Sequence, residues 1–600
     1  MRIATNALAS VALLAWLPMQ AAQGCPDRLA GLWGASVLFG PEIRGTLTIY
    51  RHGALWSASI NSIDVPIHAG ARELRFSLPG VRGEFRGHLV EHERRIAGHW
   101  IQPVTEHVWG ASYATPVELT LSGRDTWRGQ VLPLEDAESI YLMIEPDSSG
   151  ELRAFARNPE RNLGRYLGPM RAVCDGDRIQ LIRAQEGAAA LNATLNPEQE
   201  ILSIFFPTES ATFDLTRRER ATASGFYPRV STADAYTYRP PTRLSDGWET
   251  ASLADVGIDP KPVIDLVRSM IDTPISDIAA PYPQSFLIAR HGKLVLEEYF
   301  FGFDGDHVHD LRSAGKTFTT TFVGIAMRRG APFRLDTKVT SLFRYDKLAN
   351  DSPSKREITV ENLLTMTSGL NADDDDPESP GNEDRLVGQK DRYRFTLDLP
   401  MAHAPGEKAV YSAAGINLLG GIVQQTTGTW LPDFIHAYFA EPLDIHRYHV
   451  PVARSGDAYM AGGMLMLPRD FMKLGQLFLS HGLWRGRQIV DPNWVSDATR
   501  AHASIHAAGD YGYGWWIRDV RVGERTYHTF RAVGNGGQMV IVIPDLDLVV
   551  AFTGGNYNQG PVWWRWNDEY IPQILIPAVT NAPERAAGLH QKANSSGQTR

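Results

Sequence analysis

Ser313-Ala314-Gly315-Lys316 places an amine one helical turn beyond a hydroxyl. Serine is a weak nucleophile until a neighbouring group takes its proton. On a helix, a residue three positions on lies over the same face, within reach of the serine oxygen. Serine–lysine pairs are a recognised form of activated serine. At a helix start, free backbone N–H groups and the positive dipole end also favour negative charge developing on an attacked group. The chemistry indicated is acyl transfer. The same spacing recurs at Ser352-Pro353-Ser354-Lys355, but among Asn350, Asp351, Arg356 and Glu357, with no apolar helical face after it; that match reads as a solvated loop.

The element behind Ser313 separates the two matches. Phe318, Phe322, Ile325 and Ala326 recur at helical spacing, Arg328 and Arg329 occupy the last turn, and Gly330 stops it. Upstream, Asp259-Pro260 reads as an N-cap and first position of a helix through Val263, Leu266, Val267 and Met270. Ser285 to Phe301 reads as a hairpin about His291-Gly292 that leads into the Ser313 helix. Met539 to Ile543 and Leu548 to Phe552 flank Pro544-Asp545-Leu546-Asp547 as a second hairpin, with an apolar helix from about Tyr570 to Val579 after it. Strands at both ends of a helix-rich stretch imply one α+β domain over residues 251–581. Ahead of it, residues 25–216 alternate in short apolar runs, such as Gly45 to Tyr50 and Leu74 to Leu78, and read as a β-rich accessory domain, a sandwich or barrel. Gly31-Leu32-Trp33 faintly resembles the start of lipocalin-like barrels. Residues 217–250, with Pro228, Pro240 and Pro241, form a linker, and 582–600 a polar, disordered tail.

Two later segments join Ser313. One is Pro405 to Gly415, containing Tyr411-Ser412-Ala413, followed by a helix-like run to Val423; the other is Gly534-Asn535-Gly536-Gly537-Gln538, entering a strand. With these, and with Ile358 to Leu370 and Tyr511 to Trp515, the chain from Ser252 to Val579 resembles the penicillin-recognising serine hydrolases. That family includes class C β-lactamases, D-alanyl peptidases, and related esterases and amidohydrolases, among them a 6-aminohexanoate-dimer-hydrolase-like branch. The resemblance implies a β-lactamase-like fold, an antiparallel sheet flanked by helices plus a helical subdomain. It implies Ser313 as nucleophile, Lys316 as partner, and Tyr411 as a phenol that helps move the proton. It also implies a third motif on the sheet edge, with Ser313 and Gln538 N–H holding the oxyanion and Asn535, Gly536 and Gly537 along the substrate. An unperturbed lysine and an unperturbed phenol both titrate near 10, so the proton belongs to the Lys316–Tyr411 pair. The glycines would let substrate backbone approach the strand.

Two positions depart from the family pattern: Ala413 stands where many relatives carry asparagine, and Asn535 where β-lactamases carry lysine. A carboxylate-bearing β-lactam or D-alanyl peptide would lose contacts at both. The reading is therefore an esterase or amidase acting through an acyl-enzyme on a small-molecule or short-peptide substrate. A non-catalytic or acylation-only receptor of the penicillin-binding type, and a β-lactamase or D-alanyl carboxypeptidase, are the alternatives.

Composition excludes other classes. With 43% hydrophobic and 21% charged residues and a net charge of −9, the chain is an ordinary globular one with no basic footprint for nucleic acid. Residues 1–24 read as a secretory signal, so the expectation is a periplasmic or secreted protein without a further membrane span. Cys25 could carry lipid, or could pair with Cys174, the only other cysteine. His307, His309 and Asp310, and the pair His502 and His506, do not complete a metallohydrolase pattern, so no metal or cofactor is expected. Asp373 to Asp376 reads as a solvated charge run. No G-x-S-x-G elbow occurs.

Overall fold

Alternation with a period of two dominates the first third of the chain, and in the computed structural model those residues are strands. The structure describes residues 28–581, except 71–72, 91, 93, 105–110, 161–167, 184–189, 208–210, 276, 278, 454 and 506–508. The expected signal, Cys25, His506 and the tail lie outside the described residues; Cys174 is disulfide-bonded.

The chain forms two compact units. Among the described residues, the first takes in 28–35, Ile140–Arg157 and those of 168–219, and its strands belong to an eight-stranded closed barrel. Leu191, Ala193 and Leu195 point inward while Asn192, Thr194 and Asn196 are exposed, the pattern of a sheet with one dry face. Trp33 is fully buried there, its Nε1 donating to Leu29 O at 2.8 Å, with the Arg217 guanidinium 4.5 Å from its ring centroid.

Among the described residues, the second unit takes in those of 36–139, 158–160 and 220–581. The strands expected as one contiguous β-rich region are thus shared between the units. Those between Gly45 and Val131 are inserted between the first two barrel strands, Gly31–Gly40 and Asp136–Pro146, and build a separate sheet. Alternation alone looks the same whichever sheet a strand joins, so the sequence could not divide them. This sheet continues into the C-terminal half: Tyr448–Val452 pairs antiparallel with Ser112–Gly123, with Val450 opposite Ala114. Leu465–Met466 pairs with Tyr448–Val452 and with His309–Asp310.

The sheet nearest the candidate site has nine strands. Toward one edge of it Pro283–Arg290 and Lys293–Tyr299 form the expected hairpin, with His291 at φ 53° and Gly292 at φ 69°, as a two-residue turn with two left-handed positions requires. Gln538–Ile543 and Leu548–Gly554 form the second expected hairpin. Asp259 caps the helix Pro260–Ile271 by accepting from Lys261 N at 3.0 Å. The expected terminal helix is interrupted: Trp566–Leu575 winds as a wider π-helix containing Pro572, and an α-helix resumes over Ile576–Thr580.

Candidate active site

Ser313 sits in a single 3₁₀ turn, Arg312–Ala314, which runs into the helix Gly315–Arg328. Arg312 has φ 49°, a conformation that costs a non-glycine residue about 1–3 kcal/mol. Its N–H donates to Asp310 Oδ1 at 2.9 Å, its Nε lies 3.1 Å from Asp310 Oδ2, and its guanidinium lies 4.7 Å from the Tyr557 ring centroid. The helix is buried on all sides, so its hydroxyls must be satisfied by neighbours. Thr317 Oγ1 donates to Gly514 O at 2.6 Å, Thr320 Oγ1 to Tyr513 O at 2.8 Å, and Thr319 Oγ1 to Met460 O at 2.5 Å. A Cβ on Gly514 would stand 2.4 Å from Thr320 Oγ1, which explains a glycine in the Tyr511–Trp515 segment.

Lys316 is enclosed and Ser313 is partly open. Lys316 Nζ donates to Ser313 Oγ at 3.1 Å and lies 4.8 Å from the Tyr411 ring centroid. The Tyr411 phenol and the Lys316 ammonium act on each other's charge, and Ser313 lies beside the phenol. Tyr411 is half-buried, its hydroxyl at the enclosed end and its ring stacked on Trp516 at 5.8 Å. Burial pushes the phenol up, opposed by the Lys316 charge. Burial pulls the Lys316 ammonium down, but the negative charges of Tyr411, Glu383 and Asp374 outweigh it and leave it above the ordinary lysine range. The pair thus holds its protons more tightly than either group does in water.

Residues 534–538 close the hairpin between Arg525–Gly534 and Gln538–Ile543. That strand pair lies inside the sheet, with Leu548–Gly554 beyond it, so the third motif is not on a sheet edge. It still reaches the serine turn: a Cβ on Gly534 would stand 2.2 Å from Leu311 O and 3.1 Å from Arg312 Cβ. Gly536 and Gly537, at φ 93° and 99°, make room for aromatic rings. Their Cβ positions would fall 2.8 Å from Tyr557 Cδ1 and 2.3 Å from Trp566 Cζ3. The Asn535 side chain donates to Asn558 Oδ1 at 2.6 Å and accepts from Asn558 N at 2.7 Å, which ties it to the neighbouring loop. The Gln538 side chain is buried against Gly554, donating to its carbonyl at 2.6 Å, so only its backbone N–H is left to serve a substrate. Beside this region, bounded by Arg312, Tyr557, His309 and Glu135, lies a cavity of about 630 Å³, within the size range of small-molecule sites.

The second Ser-x-x-Lys match is no solvated loop. Ser352 caps the short helix Pro353–Arg356, accepting from Lys355 N at 3.1 Å, and the buried Lys355 Nζ donates to Ala349 O and Leu397 O at 2.9 and 2.8 Å. His309 Nδ1 is 2.9 Å from Gln284 Oε1 and His307 Nδ1 is 2.8 Å from Asp304. Among the described residues no group of three His, Cys, Asp or Glu side chains suits a metal ion. The aspartate run also differs from expectation: Asp375 and Asp376 are exposed, but Asp374 turns its carboxyl into the site, where Oδ2 accepts from Ala413 N at 2.7 Å. Only its position directly after Ser368-Gly369-Leu370 could have hinted at this.

Residues 276–559 match the Beta-lactamase family model. The 6-aminohexanoate-dimer hydrolase of Paenarthrobacter ureafaciens is 26% identical over 291 residues, covering 44% of this chain and 71% of that protein. Among solved structures, EstCE1, a hydrolase with promiscuous acyltransferase activity, covers 55% of this chain and 100% of its own at 18% identity and a TM-score of 0.44. The octameric penicillin-binding protein homologue from Pyrococcus abyssi covers 53% and 79% at 18% identity and a TM-score of 0.40. Residues 276–559 thus carry the β-lactamase-family match, and these findings support a serine hydrolase of the β-lactamase and penicillin-binding family.

Proposed function

We propose that this serine hydrolase cleaves an ester or amide through an acyl-enzyme on Ser313. The observation that carries the reading is Lys316 Nζ at 3.1 Å from Ser313 Oγ and 4.8 Å from the Tyr411 ring centroid. With the Lys316–Tyr411 pair having first given up one proton to solvent, Ser313 Oγ attacks the carbonyl carbon as its own proton passes to that pair. The carbonyl oxygen becomes an oxyanion, held by Ser313 and Gln538 N–H; one such donor contributes roughly 3 to 4 kcal/mol to the transition state. The pair returns the proton to the leaving alcohol or amine, the carbonyl–heteroatom bond breaks, and water repeats the sequence on the acyl-serine. The 6-aminohexanoate-dimer hydrolase relative supports amides in the substrate range. A β-lactam carboxylate would meet Asn535, uncharged and already bonded to Asn558, and Ala413, a methyl group.

Purified protein is expected to hydrolyse short-chain p-nitrophenyl esters, to turn over a chromogenic cephalosporin weakly or not at all, and to label with a fluorophosphonate. Ser313→Ala is expected to lose the label and about 10⁴-fold or more of the turnover. Undiminished turnover in that variant refutes the nucleophile, and stoichiometric labelling without turnover in the parent supports the receptor reading instead.

A further inference from the structure

The aspartate run leaves one buried carboxyl beside the Lys316–Tyr411 pair, and the mechanism above does not use it. Asp374 grips the Tyr411 segment at two points. Its N–H donates to Tyr411 O at 3.0 Å, and its Oδ2 accepts from Ala413 N at 2.7 Å. The loop that presents it is itself fixed, because Asn382 Nδ2 donates to the carbonyls of Asp373, Asp374 and Asp376 at 3.2, 3.2 and 3.1 Å. An asparagine could make both contacts to the Tyr411 segment. Only the aspartate adds charge, and its Oδ1 is buried without a hydrogen-bond partner.

The groups around that carboxyl come from several elements. Lys316 projects from the Ser313 helix, and Glu383 opens the short helix Glu383–Val387. The Tyr459 hydroxyl donates to Glu383 Oε1, and the Arg392 guanidinium lies 5.0 Å from the Tyr459 ring centroid. Burial is the main effect on Asp374 and raises it to about 7; Lys316 opposes this and Glu383 reinforces it. Retaining an aspartate here therefore costs stability. A carboxyl that is protonated in the fold but ionised in the unfolded chain loses folding free energy as pH rises from about 4 to 7.

We propose that Asp374 is a positioning residue of the hydrolytic site: it holds the Tyr411–Ala413 backbone, and its charge, together with that of Glu383, fixes how tightly the Lys316–Tyr411 pair keeps its proton. The inference rests on the Ser313 reading above. A negative neighbour makes the pair harder to deprotonate, so the ascending limb of kcat against pH stands at a higher pH with Asp374 than without it.

The test is the pH profile of ester hydrolysis by the full chain. Asp374→Asn keeps the acceptor for Ala413 N–H and is expected to move the ascending limb about one pH unit toward acid. Glu383→Gln, which keeps the acceptor for Tyr459, should move it the same way and carries the test if the first variant folds poorly. Asp374→Ala removes the grip as well and should lower kcat about 10-fold or more with little change in KM. Limbs unmoved in both charge variants overturn the electrostatic role, and an undiminished kcat in Asp374→Ala overturns the grip. Ser313→Ala run alongside separates the readings: if it retains turnover, the Ser313 mechanism has failed, whereas an inactive Ser313→Ala beside unmoved limbs defeats only the inference about Asp374.

Discussion

At the scale of single residues, Tyr411 stands between Lys316 and a ring stack. Its ring stacks on Trp516 and its phenol and Lys316 act on each other's charge, so Tyr411→Phe removes the phenol and spares the stack. That variant is expected to fold with an unchanged denaturation midpoint and to lose roughly 10²- to 10⁴-fold in kcat, the usual range for a proton-transfer group. Steady-state kinetics beside urea unfolding check both halves. Ser313, Lys316 and Tyr411 were legible in the chain because each sits in a short pattern with fixed spacing. Asp374 was not, because its carboxyl turns inward only when Asn382 has shaped the loop from eight positions further on. In sequence it is one of four adjacent aspartates, and its two neighbours Asp375 and Asp376 do behave as a solvated run.

At the scale of elements, boundaries were the readable part and neighbours were not. Asp259-Pro260 announces a helix start and His291-Gly292 a tight hairpin because both effects are local. The glycines at 536 and 537 announce only that something comes close. Nothing local says that one visitor is Trp566, some thirty positions on. Gly537→Ala is expected to destabilise the fold by about 2 to 4 kcal/mol, since its Cβ would stand 2.3 Å from Trp566 Cζ3 at φ 99°. Gly388→Ala, at φ −72° with nothing within 4 Å of the new carbon, should stay within about 0.5 kcal/mol of the parent. Equal effects of the two substitutions in urea unfolding would contradict the account of Gly537.

At the scale of the whole second unit, the inserted N-terminal sheet and the hydrolase domain share a ladder and several buried polar contacts. His99 Nδ1 lies 3.0 Å from Asp433 Oδ1, Thr115 Oγ1 lies 2.7 Å from His449 Nδ1, and Arg86 lies 4.5 Å from the Trp430 ring centroid. A chain beginning at Ala251 would leave Asp433 and His449 without these partners and the strand Tyr448–Val452 with an open edge. Expressed alone, it is expected to be insoluble or inactive, whereas an active, monodisperse product would show the N-terminal sheet to be dispensable. The sequence set the hydrolase boundaries at 251–581 because composition and motifs change there. Strand pairing across the boundary leaves no trace in either segment, each of which alternates as any half-buried strand does.

The pairing of Ala114 with Val450 also orders events during synthesis. The ribosome finishes Ser112–Gly123 more than 300 residues before its partner Tyr448–Val452 exists, an interval of about 20 to 70 s at ordinary elongation rates. Over that time the front of the strand offers unpaired N–H and C=O groups to any passing β-segment. The nascent chain therefore carries an open strand edge throughout the synthesis of residues 313–411.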